Sequence, residues 1–257
     1  MPCTQLAAQI YTVRDSLAYH AEKKLPDVCR RIREIGYDAV EAIHPLIEDP
    51  QFFKKAASDA GLAISSAHVG ADKVFADPEW VISLKELLGT DQIVIPTMPG
   101  RYRGDAAKAK EFIAQVQDAG ARLAELGVVL SYHNHSFEFQ KFEGKTIFEM
   151  LLEMTQPEHV KIQFDTYWIQ HGGGDVAAWL RRIEDRISSL HLKDMGMLLK
   201  QQIYMEPGEG NLNWPAILKA ARAAGITRYI VELDSCPREP FESLALAYRN
   251  CRAMGIG

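Results

Sequence analysis

The sequence predicts an α/β protein, a (β/α)8 barrel in a single domain over residues 1–257, and three observations support this fold class. Short apolar, β-branched runs recur at intervals of about 30 residues, as eight repeated units require. Amphipathic, helix-like segments separate the runs, which favours a parallel sheet covered by helices. A length of 257 residues is typical of one such barrel. No linker, charge block or low-complexity segment divides the chain.

Each strand and helix has its own signal in the sequence. The predicted strands are QLAAQIYTV (5–13), YDAVEAI (37–43), LAISSAHV (62–69), QIVIPTM (92–98), VVLSYHN (128–134), VKIQFD (160–165), ISSLHLK (187–193) and YIVELD (229–234). Helical segments between them end on Gly36, Gly127 and Gly225, and Asn213 is an expected N-cap. Open doubly wound sheets share this alternation. The chain has no GxGxxG in its first turn and no GxxxxGK[ST], so nucleotide-phosphate sites lack support.

Bulk composition narrows the classes of protein. With 47% hydrophobic and 25% charged residues, the chain is typical of a soluble globular protein. A net charge of −5 argues against broad nucleic-acid binding, and no apolar stretch is long enough to span a bilayer. The four scattered cysteines lack zinc-site spacing, and the N-terminus lacks a signal-peptide pattern. We therefore expect a cytoplasmic protein with no nucleic-acid or membrane partner.

The last four predicted strands each end in residues that bind metals. The segments are VVLSYHNHSFEF (128–139), VKIQFDTYWI (160–169), ISSLHLKDM (187–195) and RYIVELD (228–234). A carboxylate or imidazole at the end of an apolar strand is costly unless a polar partner receives it. In parallel barrels these strand ends meet at one face. Asp165, His191 and Glu232 are therefore expected to share one divalent cation, Mn²⁺, Mg²⁺, Co²⁺ or Zn²⁺.

These motifs make the chain resemble the sugar phosphate isomerase/epimerase superfamily, which has the xylose isomerase-like TIM barrel. The resemblance runs from AAQIYTVRD through YHNHSFEF, FDTYWI, HLKD and GEGNLNW to IVELD. Members of this superfamily commonly hold one metal with Glu, Asp, His and Glu from the last four strands. The resemblance implies that Asp165, His191 and Glu232 are the second, third and fourth ligands.

The first ligand departs from this pattern, because His133 stands near the place of the usual glutamate. Either His133 binds the metal, or Glu138 reaches back from the following loop. We favour Glu138, since a second carboxylate balances the charge of the cation and can act as a base. His133 and His135 then project to one face of the strand, as the period of two requires, and bind substrate hydroxyls.

Other polar residues fit a carbohydrate pocket. Lys193 shares a strand face with His191 and could stabilise an enolate, although a salt bridge is the alternative role. Trp168 stands where epimerase-like members often carry His, and we expect it to form an apolar wall against a sugar ring. The remaining candidates are His68, which is equally well explained as a structural histidine, Glu41 and Gln9 at the floor, and Glu209 in a loop that resembles one closing over the site.

The leading functional hypothesis is a metal-dependent isomerase or epimerase that acts on a sugar, keto-sugar or cyclic polyol. A carboxylate such as Glu138 or Glu232 would remove the proton next to a chelated carbonyl. Loss of a β-substituent from the same enolate would give a dehydratase or lyase that acts on inosose or a keto-sugar. Two further hypotheses are an endonuclease IV-like nuclease and a non-catalytic carbohydrate-binding protein. A carbohydrate is the expected partner, and a homo-oligomer is left open.

Overall fold

A computed structural model describes residues 4–17, 21–44 and 49–257, without the side chains of residues 21–23. Eight parallel strands close into one barrel in chain order, with the last strand hydrogen-bonded to the first. They are β1 Gln5–Gln9, β2 Ala39–Ile43, β3 Ala63–His68, β4 Gln92–Ile95, β5 Val129–His133, β6 Val160–Asp165, β7 Ile187–Leu192 and β8 Arg228–Val231. This closed barrel confirms the predicted fold class.

Eleven helices of the described residues cover the barrel and fill its loops. They are α1 Arg14–Leu17, α2 Ala21–Ile35, α3 Pro50–Asp59, α4 Ala71–Ala76, α5 Pro78–Leu88, α6 Ala106–Ala124, α7 Ile147–Met154, α8 Thr166–His171, α9 Val176–Arg182, α10 Trp214–Ala223 and α11 Pro240–Ala253. Asn213 caps α10 as expected, because its side chain accepts a hydrogen bond from the Ala216 backbone. Gly36 follows α2 with a φ of 123°, and a side chain there would meet the Tyr248 ring.

Two antiparallel hairpins decorate the barrel. One pairs Lys141–Phe142 with Lys145–Thr146, and the other pairs Asp194–Leu198 with Gln201–Met205 directly after β7. At the tip of this 194–205 hairpin, Leu199 is 94% exposed. None of the described helices is both long and apolar enough to cross a membrane. Cys29, Cys236 and Cys251 are free thiols, and Cys3 lies outside the described residues.

Three predicted strands end at least three residues earlier than expected, and one of them is the run 229–234, which stops at Val231. The run 5–13 becomes a 3₁₀ helix at Ile10–Val13, since the side chain of Gln9 accepts a hydrogen bond from the Tyr11 backbone. The run 92–98 stops at Ile95, because the following Pro96 has no N–H to donate to a neighbouring strand.

The period of two along the strands sorts the barrel interior into layers. A small apolar cluster of Ala7, Ala39 and Ile230 lies in the interior. Residues two positions further along these strands share the same face, and they are Gln9, Glu41 and Glu232. All six residues are buried. The strands therefore carry polar side chains inward toward their C-terminal ends.

A column of hydrogen bonds runs through this interior. Gln92 Nε2 donates to Ser189 Oγ at 2.9 Å, and Gln163 Nε2 donates to the same oxygen at 3.2 Å. Gln163 Nε2 also donates to Glu41 Oε1 at 2.6 Å, and Glu41 Oε2 lies 2.7 Å from His191 Nε2. Many barrels of this class fill the same space with branched apolar residues. Here the polar column links β4 to the strand ends that carry the candidate site.

Candidate active site

Four buried side chains converge at the C-terminal ends of β5 to β8. His133, Asp165, His191 and Glu232 each offer a ligand atom, and these atoms all lie within 4.8 Å of one another. An overlapping group joins His68 to His133 and His191. The structure thus brings together Asp165, His191 and Glu232, which are far apart in the sequence but were expected to meet. The fourth member of the cluster is His133.

Glu138, the favoured first ligand, does not belong to this cluster of described residues. It lies in the 3₁₀ turn Phe137–Phe139, fully buried. Its Oε1 accepts a hydrogen bond from the Tyr132 hydroxyl at 2.5 Å, and its Oε2 accepts one from the His135 backbone at 2.8 Å. Burial raises the pKa of this carboxyl to about 7. The geometry thus places the alternative, His133, in the cluster and Glu138 outside it.

Both histidines of the cluster are oriented by a second partner. His133 Nδ1 lies 3.0 Å from Gln163 Oε1, which leaves its Nε2 on the side of Asp165 Oδ2, at 3.8 Å. His191 Nε2 lies 2.7 Å from Glu41 Oε2, and its Nδ1 lies 3.2 Å from Glu232 Oε2. Metal-binding histidines characteristically donate their other N–H to a carboxylate or carbonyl in this way.

The donor set fits a divalent cation. Asp165 Oδ2 is buried and has no hydrogen-bond partner, although Lys193 Nζ lies 3.1 Å away. A buried carboxylate oxygen without a hydrogen bond is costly, and coordination would satisfy it. Two imidazoles and two carboxylates suit Mn²⁺, Co²⁺ and Zn²⁺, and with waters Mg²⁺. The residues present could therefore hold one such ion.

Lys193 supplies a positive charge beside the cluster. Its buried Nζ lies 2.7 Å from Glu232 Oε2 and 2.5 Å from Asp234 Oδ2. Burial alone would lower the pKa of Lys193, but Asp165, Glu232 and Asp234 raise it well above its ordinary value. Burial alone would raise the pKa of Glu232, but Lys193 first and His191 second hold it well below the usual range. Lys193 and Glu232 form a charged pair.

The two cluster histidines differ in charge. Burial on its own would lower the pKa of His191, but the Glu41 carboxylate and the hydrogen bonds to Glu232 and Glu41 raise it to about 10. Burial lowers the pKa of His133 well below its ordinary value, and the neighbouring His191 lowers it further. In the protein without a bound ion, these shifts favour an imidazolium at His191 and a neutral imidazole at His133 near neutral pH.

Glu41 and Gln9 lie at the floor, as expected, but they contact protein groups there. Glu41 is fully buried and accepts hydrogen bonds from Gln9 Nε2 at 2.6 Å and from Ser66 Oγ at 2.5 Å. It also holds His191 at 2.7 Å and lies 3.2 Å from His68 Nε2. Glu41 therefore supports the histidines, and Gln9 supports Glu41. The expectation that both bind substrate does not fit this packing.

A cavity of about 260 Å³ opens at the cluster. Its lining residues are Tyr11, Ile43, His68, Pro96, Thr97, His133, His135, Glu232 and Asp234. His68 and His135 thus lie where a substrate can reach them. Burial, with a contribution from Lys193, lowers the pKa of His135 to about 3, so this imidazole is neutral.

Aromatic rings stand beside the cavity. The Trp168 ring centroid lies 5.2 Å from that of His135 and 5.8 Å from that of Tyr204, which belongs to the 194–205 hairpin. Lys193 Nζ lies 5.6 Å from the Trp168 ring centroid. Trp168 thus packs against His135 of the cavity lining, and the hairpin adds Tyr204 to the same aromatic group, which sequence reasoning missed.

Glu209 does not reach the barrel mouth. It is exposed, and its Oε1 accepts a hydrogen bond from Asn250 Nδ2 of α11 at 2.8 Å. With Trp214, Leu218 and Met254 it lines an outer groove of about 600 Å³. The expectation that Glu209 closes over the site is not met, because its loop is fixed in another direction.

The carboxylate that fixes this loop is Asp194, directly after Lys193. It is fully buried and accepts five hydrogen bonds, from the backbone of Met195, Gly208, Gly210 and Leu212 and from the Trp214 indole. The motifs HLKD and GEGNLNW therefore meet at one carboxylate. The signal was present in the sequence as a strand-end Asp, but four of its five partners lie 14 to 20 residues away.

Comparisons with known proteins agree with this fold. A family described as Xylose isomerase-like TIM barrel matches residues 29–250. An inosose dehydratase of Mesomycoplasma hyopneumoniae (strain 7448) is 32% identical over 130 residues, which cover 44% of this chain and 43% of that protein. The chain thus spans less than half the length of this curated relative. An inosose dehydratase of Geobacillus thermodenitrificans (strain NG80-2) is 26% identical over 246 residues, 80% of this chain and 82% of that protein.

Solved structures share the architecture. A sugar phosphate isomerase/epimerase from Parabacteroides distasonis ATCC 8503 superimposes with a TM-score of 0.82 at 24% identity, covering 98% of this chain and 95% of that one. At this identity the likeness concerns the fold. The family match over residues 29–250 and the closed barrel together lead to one conclusion: the chain belongs to the xylose isomerase-like TIM barrel family.

Proposed function

We propose that this protein is a metal-dependent dehydratase that acts on a cyclic polyol ketone of the inosose type. The observation that carries the proposal is the Lys193–Glu232 pair, joined at 2.7 Å, beside a cluster of four metal-binding side chains and an open cavity. From the sequence alone, an isomerase or epimerase was the leading hypothesis. The inosose dehydratases among the relatives and the one-sided placement of this pair favour dehydration.

The proposed cofactor is one divalent ion held by His133, Asp165, His191 and Glu232. When bound, it would act as a Lewis acid that polarises the substrate carbonyl. The two groups of possible ligands share His133 and His191, which supports a single ion.

The elimination follows from the Lys193–Glu232 pair. Glu232 takes the proton from the carbon next to the carbonyl, and the released electron pair forms the enolate. As the carbonyl re-forms, a C=C bond forms and the C–O bond to the β-hydroxyl breaks. Lys193 donates a proton to the departing hydroxide, which leaves as water. The proton on Glu232 then passes to Lys193 across the 2.7 Å contact, and both groups return to their starting charge.

This arrangement suits dehydration better than epimerisation. Dehydration can proceed with the acceptor and the donor on the same side of the substrate, as they are in a pair joined by one hydrogen bond. Epimerisation needs a donor on the opposite face of the carbon. Glu138, the other carboxylate expected to act as a base, is buried with both oxygens hydrogen-bonded within the protein.

The charges near the cavity support an unphosphorylated substrate. Arg14 donates to the backbone carbonyls of Tyr11 and Asp234, at 2.9 and 2.7 Å. Arg103 donates from Nε to the Met98 carbonyl at 2.8 Å. These guanidinium groups are engaged with the protein, whereas a phosphate would call for a free one. The free thiols are consistent with the expected cytoplasmic setting, and a homo-oligomer stays a prediction.

Turnover of a cyclic polyol ketone tests the proposal. The purified protein, loaded with Mn²⁺ or Co²⁺, is incubated with an inosose in D₂O and followed by NMR. We expect an α,β-unsaturated ketone to form and chelation to stop its formation. Exchange of the α-proton without loss of water would instead support an isomerase or epimerase. No exchange and no product across a panel of inososes and keto-sugars would overturn the enzyme proposal.

The choice of first ligand is tested by metal binding itself. We expect His133→Ala to lower the affinity for the ion measured by calorimetry, because it removes one of four donors. Glu138→Gln is the matched control and should bind the ion like the wild type. The opposite ranking would restore Glu138 as the ligand.

A further inference from the structure

Lys193 has three carboxylate neighbours, and they are not equivalent. Its Nζ lies 3.1 Å from Asp165 Oδ2, 2.7 Å from Glu232 Oε2 and 2.5 Å from Asp234 Oδ2. Asp165 and Glu232 belong to the cluster of four metal-binding side chains, whereas Asp234 does not. A cation in the cluster would share the first two carboxylates with Lys193. Asp234 would then be the one carboxylate that pairs with Lys193 and does not also contact the cation.

Two positive charges close together repel each other, and the repulsion is strong where water is excluded. Lys193 is fully buried, so a cation held by Asp165 and Glu232 would weaken the attraction of these two carboxylates for the ammonium. Aromatic rings limit where the ammonium can go, since its Nζ lies 5.6 Å from the Trp168 ring centroid and 6.0 Å from that of Tyr204. Asp234 lines the cavity, so an ammonium paired with it stays at the substrate.

Asp234 is itself held firmly. Arg14 Nη2 donates to its backbone carbonyl at 2.7 Å, and the Arg14 guanidinium lies 4.0 Å from the Tyr11 ring centroid. One residue earlier, the Leu233 backbone donates to Thr12 Oγ1 at 3.1 Å. The Asp234 side chain remains 27% exposed, compared with 7% for Glu232. The backbone is fixed while the carboxylate faces both the cavity and Lys193.

We propose that Asp234 is a positioning residue, which holds the Lys193 ammonium where it can protonate the departing hydroxyl group. This inference rests on the proposed dehydration. It assigns Asp234 no contact with the ion and no part in removing the α-proton. Loss of the Asp234 charge should therefore affect one half of the reaction and spare the other.

The test uses Asp234→Asn, which keeps the shape of the side chain and removes its charge. For the metal-loaded enzyme acting on an inosose, we expect kcat for water loss to fall about 10- to 100-fold while KM changes little. Exchange of the α-proton in D₂O should persist, because Glu232 is intact. Calorimetry should give a metal affinity close to that of the wild type. Asp234→Glu should restore most of kcat.

A second variant, Asp234→Ser, guards against a folding defect specific to asparagine and should show the same separation of exchange from water loss. Unchanged kcat in both variants would overturn the positioning role, and so would equal losses of exchange and water loss. A comparable loss of metal affinity would make Asp234 part of the metal site instead. If the wild type neither exchanges nor dehydrates any substrate, the proposed function fails, which is a different result from an insensitive variant.

Discussion

The buried Glu138 carboxyl offers a test of the site, because its raised pKa predicts how the stability of the protein changes with pH. Replacing it by glutamine removes the ionisable group and leaves its neighbours Tyr132 and His135 in place. The Tyr132 hydroxyl also accepts a hydrogen bond from the Met98 backbone at 3.0 Å. A rearrangement of these hydrogen bonds shifts stability by an amount that does not depend on pH. The pH dependence of the difference therefore reports on the carboxyl alone.

Burial raises the pKa of Glu138 from 4.5 to about 7. The folded protein thus binds this proton more tightly than the unfolded chain does. The stabilisation from the protonated carboxyl is fully present below pH 4.5 and is lost as the pH rises through 7. Each pH unit in the interval is worth about 1.4 kcal/mol. Between about pH 5 and about pH 8 the wild type should lose about 2.5 kcal/mol relative to Glu138→Gln.

Urea unfolding of both proteins in chelator, at each pH, measures this difference. The other ionisable groups cancel because the two proteins share them. A difference between wild type and Glu138→Gln that stays constant from low to high pH would refute the buried, protonated carboxyl.

Two further substitutions test the groups that support the site. Gln163→Leu removes the oxygen that orients His133, and we expect the metal affinity measured by calorimetry to fall about 10- to 100-fold; unchanged affinity would exclude this orienting role. Asp194→Ala leaves five N–H groups without their acceptor, and we expect a loss of about 4 kcal/mol. By calorimetric melting this is a Tm lower by roughly 8 to 16 °C. A shift smaller than about 3 °C would show that water replaces the carboxylate.

The barrel could be predicted from sequence because its signals are local and repeated. All eight strands appear where apolar runs predicted them, and they close into one sheet. The errors lie at strand ends, because individual side chains decide where a strand stops. Gln9 binds the backbone two residues ahead and ends β1, while Pro96 ends β4.

The position of site residues could be predicted where they lie at strand ends. The prediction failed where their position depends on the course of a loop. Asp165, His191 and Glu232 meet because parallel strands finish at one face. Gln163 and Asp234 were open to the same reasoning, since Gln163 lies two residues before Asp165 on β6 and Asp234 lies two residues after Glu232. Glu138 lies outside the cluster because a 3₁₀ turn directs it toward Tyr132, which sequence spacing does not reveal.

The position of the loop that carries Glu209 could not be predicted, for a similar reason. A resemblance in the motif indicated that a loop was present, but not which way it faces. Its direction is set by Asp194, and four of the five donors to this carboxylate become its neighbours only after the chain has folded. Such contacts between distant segments leave little trace in a local pattern.

The hydrogen-bonded column from Gln92 to His191 also bears on how this protein could be re-engineered. A mutant library restricted to the cavity lining would omit Ser189 and Gln163. Together with Glu41, these residues connect Gln92 to the imidazole of His191 through consecutive hydrogen bonds. Replacing His133 or His191 alone would remove one hydrogen bond from Gln163 or Glu41 further down the barrel. Each histidine and the residue that supports it, Gln163 for His133 and Glu41 for His191, are best varied together.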